Sequence, residues 1–156
     1  MTNWKKLGVG VGLAGIAVAA GIGLTKALCR GLKFTFEAPV SIRVCEPFVM
    51  KGDVIKDCKG LKGVPVTIYT EIIGVPFPLT TVITDSAGHY EWRGVIGTDA
   101  HFENYGAIEL PFWAEATIEG ELQRTDRVYS TLYGEACDGP CPVGTIRLRL
   151  AKKGGD

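Results

Sequence analysis

Five cysteines carry the most chemistry this sequence could perform: Cys29, Cys45, Cys58, Cys137 and Cys141. Thiols form disulfides, hold a soft metal or act as nucleophiles, and spacing and compartment decide which. Cys137-Asp-Gly-Pro-Cys141 has the turn of a zinc knuckle, but Cys45 and Cys58 lie thirteen residues apart. A second zinc pair calls for roughly two to four. Two disulfides among Cys45, Cys58, Cys137 and Cys141 is therefore the leading reading, with zinc and free thiols as rivals. Their connectivity stays open; Cys45 with Cys58 and Cys137 with Cys141 closes two local loops and is the simplest arrangement.

Other chemistries find less support. His89 and His101 are the only histidines, and neither has a Ser or Cys at motif spacing, so the chain reads as non-enzymatic. A His101/Glu103 pair is too small for a metal centre. Asp53, Asp57, Asp85 and Asp99 lie at or near loops and could bind calcium, yet none forms an EF-hand run. No cofactor is expected. Trp92, Phe112, Trp113 and Tyr105 could make a carbohydrate platform, but aromatics inside strand patterns more often fill a core. Gly8-x-Gly10-x-Gly12 lacks the preceding strand and following Lys-Ser/Thr of a nucleotide loop.

These groups are carried by a chain of two parts. Leu7 to Leu24 is unbroken apolar sequence between Lys5-Lys6 and Lys26, Arg30 and Lys33. At about 1.5 Å per residue it makes roughly 27 Å of helix, close to the hydrocarbon thickness of a bilayer, and Leu28 extends it. Ala17-Val18-Ala19 fits a signal-peptide cleavage site, but the apolar run continues beyond it, so a retained single span is expected. Gly8, Gly12, Gly15, Ala19 and Gly23 step by 4, 3, 4 and 4 along one helix face, a small-residue pattern that favours helix association in lipid. The expected partners are lipid and other copies of the chain or other membrane helices.

Charge divides the same way. Residues 1–36 hold five cations and no acid, whereas 37–156 hold twelve cations against seventeen acids. Cations crowd the membrane edge and the remainder is mildly acidic, which excludes a nucleic-acid binder. A single Gln, two Asn and two Met suggest a thermophilic source. Flanking charge barely sets the orientation; the expected disulfides place the C-terminal domain outside the cell.

From Leu32 onward the periodicity is two. Alternating or β-rich runs cover 33–36, 41–44, 64–70, 79–84, 89–96, 107–110, 112–118, 127–132 and 144–150, with turn signals at Lys51-Gly52-Asp53, Lys59-Gly60, Gly74 to Pro78, Asp85 to Gly88, Glu119-Gly120 and Asp138 to Pro140. The fold class expected is mainly β, an antiparallel sandwich behind one N-terminal hydrophobic α-helix. The organisation is a basic N-terminus at 1–6, a helix at 7–28, a linker with first strands at 29–48, a sandwich at 49–151 and a polar tail at 152–156.

Gly52 and Val54, then Gly63-Val64-Pro65-Val66, then Thr84-Asp85-x-x-Gly88-x-Tyr90 form one pattern. It resembles the transthyretin-like, immunoglobulin-type module also called the carboxypeptidase regulatory-like domain. Asp85 can bond amides across the turn, Gly88 can take positive φ, and Tyr90 and Trp92 share one face toward a core. The resemblance implies a fold and little about function, since such sandwiches serve as spacers, adhesins, binding modules and filament subunits. One branch of the family hydrolyses a purine-derived substrate with histidines and a C-terminal Tyr-Arg-Gly-Ser; this chain ends Leu-Arg-Leu-Ala-Lys-Lys-Gly-Gly-Asp, so that activity is not implied. The stretch Leu32 to Phe48, extra to the pattern, could pair with its own sheet or be donated to a neighbour's.

The expectation is a structural or assembly component of a surface complex, envelope or virion. A pilin-like filament subunit with helices bundled in its core is one alternative, and a membrane-tethered glycan- or protein-binding module another.

Overall fold

A computed structural model describes residues 29–98, 107–134 and 145–148. The apolar segment with Gly8, Gly12, Gly15, Ala19 and Gly23, both chain ends, Cys137, Cys141, Asp99, His101 and Tyr105 lie outside the described residues. No helix among those described is long and apolar enough to cross a membrane.

Among the described residues eleven strands follow in order: β1 (Leu32–Phe34), β2 (Ser41–Arg43), β3 (Pro47–Lys56), β4 (Lys59–Gly60), β5 (Pro65–Ile72), β6 (Val75–Ile83), β7 (His89–Thr98), β8 (Ile108–Ile118), β9 (Glu121–Arg124), β10 (Val128–Tyr133) and β11 (Thr145–Leu148). They build two sheets. One runs β2-β10-β8-β5-β6 with β9 added to β8; the other runs β11-β7-β3-β1 with β4 added to β3.

Period-two sequence explains why the sheets stack. In β3, Phe48, Met50 and Val54 turn inward while Lys51 faces solvent, and in β5 Val66 and Ile68 do the same. Opposed inner faces merge into one cluster that also takes Ile42, Tyr90, Ile96, Phe112, Ala114, Ile118, Leu132 and Leu148. Burial of these apolar faces is the main favourable term holding the two layers together.

Three two-residue hairpins place both central residues at positive φ, the type I′ geometry: Asp57-Cys58, Ile73-Gly74 and Glu119-Gly120. They fix register at both ends of the sandwich. The first two correct the expected turns: Lys59-Gly60 is strand β4, just past the Asp57-Cys58 turn, and Gly74 is the second turn residue before β6. Lys51-Gly52-Asp53 sits in mid-strand, paired with Glu91, Tyr90 and His89, because residues 47–56 alternate continuously through it. Val75 to Pro78 begins β6, an edge strand, where prolines are tolerated because the outer side needs no ladder donors.

The sheets are mixed, not purely antiparallel as expected. β2 lies parallel to β10 and β11 parallel to β7. Since β1 belongs to one sheet and β2 to the other, the chain crosses between layers over residues 35–40 instead of folding back as a hairpin. The stretch 32–48 therefore pairs with this chain's own sheets, and 29–48 contributes β1, β2 and the start of β3 to the sandwich.

Candidate functional site

A set of specific contacts among the described residues gathers at one end of the sandwich, where the N-terminal stretch enters. Antiparallel register brings the ends of β3, β6 and β8 together with the starts of β1, β5 and β7. We call this the entry end. The opposite end holds the β5-β6 hairpin, the ends of β7 and β10 and residue Leu148.

Cys29 is joined to Cys58 by a disulfide with Cα atoms 4.9 Å apart. Next to it the Gly31 amide donates to the Asp57 Oδ1 at 2.7 Å, and the Asp57 amide donates to the Gly31 carbonyl at 3.0 Å. Strand β1 then pairs with Val54 to Lys56. Beyond it the Thr35 amide donates to the Asp53 carbonyl, the Asp53 amide donates to Thr35 Oγ1, and Glu37 bridges Lys51. From beneath, the Tyr90 hydroxyl donates to the Thr35 carbonyl at 2.5 Å. Burial pushes that phenol well above the usual tyrosine range. Gly52 makes room for this bond: a Cβ there would lie 2.0 Å from the Thr35 carbonyl and 2.4 Å from the Tyr90 hydroxyl. Residues 29 to 37 are thus fastened by a covalent bond, a strand ladder and a buried hydroxyl.

The Cys29–Cys58 bond brings in a cysteine from outside the expected set of Cys45, Cys58, Cys137 and Cys141, and it excludes Cys45–Cys58, the simplest of the connectivities left open. Cys45 precedes and Cys58 follows the ten-residue strand β3, and at about 3.3 Å per residue such a strand separates them by more than 30 Å. Cys45 is also in a disulfide, and its partner is not among the described residues.

The motif Thr84, Asp85, Gly88, Tyr90 and Trp92 closes the same end. Thr84 is buried; its hydroxyl donates to the Leu61 carbonyl and accepts from the Val64 amide at 2.9 Å, clasping the approach to β5. Replacing Thr84 by valine orphans both backbone groups, and we expect a cost of about 2–4 kcal/mol in urea unfolding, with serine losing about 1 kcal/mol or less. Equal loss for serine and valine would exclude the hydroxyl as the cause. Asp85 Oδ1 accepts from the Ala87 and His89 amides, bonds that hold its carboxyl below the usual range. Trp92 is half-buried, edge-on to Phe48 with ring centroids 5.2 Å apart.

His89 and Asp53 join side chains across β7 and β3, and the hydrogen bond to Asp53 holds the imidazole above its ordinary value. A raised histidine pKa stabilises the protonated fold, so this contribution is complete below about pH 6.5 and vanishes as pH rises through the folded-state value. Thermal unfolding between pH 5.5 and 8.5 should therefore show a decline that His89→Gln flattens. An identical profile in the variant would remove His89 from the account.

The described acids expected as calcium candidates face protein donors: Asp53 the imidazole, Asp57 the Gly31 amide, Asp85 two amides. Among the described residues no group of three His, Cys, Asp or Glu is placed to hold a metal. Phe112 lies in the core. Trp113 is 1% exposed yet sits on the outer face, stacked on Tyr69 at 5.7 Å and covered by the Arg127 guanidinium at 4.4 Å, while its indole donates to Glu115. Neither ring face is open to a sugar. No family model and no curated protein matches the chain.

Sequence reasoning did not single out Gly31 or Thr35, left Cys29 out of the disulfide set, and read Asp57 as a calcium candidate and Gly60 as a turn residue. The available signal was Lys56-Asp57-Cys58-Lys59: a two-residue turn that points a thiol back toward whatever strand lies beside β3. Gly60 matters because a Cβ on it would lie 2.0 Å from the Ala87 carbonyl, and one on Gly88 would lie 2.3 Å from the Val54 carbonyl. These two glycines let the β3-β4 hairpin and the 85–88 turn touch backbone to backbone.

Proposed function

We propose that this chain is a non-enzymatic structural or assembly protein, held in a membrane by its N-terminal apolar helix and displaying a transthyretin-like sandwich outside as part of a larger surface structure. The observation that carries this reading is the fastening of residues 29 to 37. The chain leaving the apolar segment enters the sandwich at Cys29, with no flexible spacer between disulfide and first strand. A domain meant to search for ligands gains from a mobile stalk, whereas a subunit that must hold its orientation gains from a fixed one. Disulfides at Cys29 and Cys45 suit an oxidising location, although thermophilic proteins also use them internally. The Thr84-to-Tyr90 hairpin and its backbone contact with β4 support the family reading.

Gentle detergent extraction of the native protein, followed by size analysis and protease protection, tests the reading. The expected result is a membrane-integral chain, protected only at its N-terminal segment, in an assembly larger than a monomer. A protein released by alkaline carbonate, or a monomer that retains affinity for a glycan, would overturn it.

A further inference from the structure

We propose that the chain pairs with a second copy of itself along the outer edge of β6, Thr81 against Ile83 about a twofold axis at Val82, so that two sheets join into one. The phase of the backbone along β6 carries the inference. At the entry end the Thr84 amide donates to the Val64 carbonyl and the Thr84 carbonyl accepts from the Gly63 amide, so Thr84 faces β5. Antiparallel ladders alternate, which turns Val82 and Thr80 toward β5 and the amides and carbonyls of Thr81 and Ile83 away from it. From the other end, the two-residue turn Ile73-Gly74 makes Ile72 and Val75 a bonded pair, so Pro76 and Pro78 face away. The phase changes at Leu79, the extra residue where the register slips.

The outer side of β6 therefore has two halves. The first presents prolines, which offer no donor and stop a neighbouring strand. The second presents the amides and carbonyls of Thr81 and Ile83, and no strand among the described residues pairs with them. The usual guards of an edge are missing there: from Thr80 to Thr84 the chain has no charge, no proline and no slip in register. Ile83 is also 58% exposed, beside the exposed pair of Thr67 and Thr81 hydroxyls.

Length and charge select the partner. The edge strands β1, β2 and β11 have three or four residues, and each carries a cation: Lys33, Arg43 and Arg147. Against itself β6 brings no charge to the seam, since no ionisable residue lies from Ile72 to Thr84 and β5 sets Pro65 to Ile68 beside the window. The flanking charges come one of each sign, Lys62 and Asp85 at the entry end, Glu71 and Arg147 toward the hairpin tip, so neither end repels a second copy. With the axis at Val82, each Thr81 amide meets an Ile83 carbonyl and each Ile83 amide a Thr81 carbonyl, and no open group is left on either edge. A longer foreign strand would run onto Pro78 at one end and the 85–88 turn at the other. The inference rests on the sheet edge and not on the anchored reading. Taken with that reading it joins chains held in two facing membranes, because antiparallel strands send the two entry ends in opposite directions.

The full chain in detergent solution tests the pairing by amide exchange and sedimentation equilibrium over a range of concentrations. Exchange at Thr81 and Ile83 is expected to slow at least about tenfold as concentration rises and dimer forms. Ile83→Lys sets a cation beside the axis at a solvated position, and Thr81→Pro removes an outward amide as Pro76 and Pro78 already do. Each should keep the wild-type Tm and raise the dimer's dissociation constant at least about tenfold. If Thr81→Pro lowers Tm, Ile83→Lys still reads the edge without touching the backbone. Fast exchange at Thr81 and Ile83 at every concentration, or concentration-dependent protection that survives Ile83→Lys, would overturn the proposal. A chain that needs no detergent overturns the anchored reading alone, and the same variants then read the edge in buffer.

Discussion

Replacing Gly88 by alanine is expected to cost about 4 kcal/mol, much of the stability available to a domain of this size. Two effects add. Gly88 holds φ +78°, where an alanine is strained by about 1 kcal/mol, and its Cβ would stand 2.3 Å from the Val54 carbonyl and 2.7 Å from the Gly60 Cα. The second effect is larger because the obstructing atoms are backbone. Relief requires parting the 85–88 turn from the β3-β4 hairpin, with loss of the bond from the Val54 amide to the Gly88 carbonyl. Gly63→Ala separates the two: Gly63 has φ +77° with nothing within 4 Å of a Cβ, so only the strain of about 1 kcal/mol should remain. Gly60→Ala opens the same contact from its other side, so the Gly60/Gly88 double variant should cost less than the sum of the singles. Urea midpoints of the four proteins decide the matter; similar losses at Gly63 and Gly88 would dismiss the backbone contact.

Removing the Cys29–Cys58 disulfide is expected to be almost as damaging. A closed loop spanning a sequence separation of 29 is worth about 3.5 kcal/mol in the chain-entropy account. Cys58 holds φ +67° at the second central position of its turn, a place suited to glycine. Cys58→Ser should therefore lose the full amount and Cys58→Gly about 1 kcal/mol less, since glycine relaxes the turn. The loss should be local as well as global. Amides of β1 that pair with Val54 to Lys56 should exchange early in either variant, while those of β5 and β8 keep their protection. Unchanged protection at Leu32 to Phe34 would mean that pairing alone holds β1.

The two-sheet, mainly β character was legible because it depends on alternation, and alternation survives in runs such as Val64 to Thr70 and Phe112 to Ile118. The hairpin motif from Thr84 to Tyr90 was legible for a similar reason: its roles are local, with Asp85 bonding amides two and four residues ahead. What stayed hidden was long-range. Lys51-Gly52-Asp53 has the composition of a turn, and only the Tyr90 hydroxyl reaching Thr35 past Gly52 explains a glycine in mid-strand. The parallel pairing of β2 with β10 depends on a crossing between layers that no local pattern encodes. The partner of Cys58 stayed hidden because Cys29 lies a sequence separation of 29 away, beside β3 only once β1 has paired with it. Trp113 shows the reverse: it reads as core, and it is buried, but on the outer face beneath Arg127.

The position of the disulfide also has a mechanical meaning. Strand β1 is a three-residue edge strand, and a pull on the N-terminal segment that arrived there would strain few bonds. Cys29 precedes β1, so the pull is diverted through sulfur to the Cys58 turn and into β3 before β1 is loaded. β3 lies between β1 and β7 and pairs with β7 over seven residues, with hydrogen bonds crossing the strand axis. Those bonds resist shear together instead of opening one at a time. Oxidation thus moves the point of attachment from the rim of the sheet to its interior, and a reducing environment would leave the same fold with a weaker mooring.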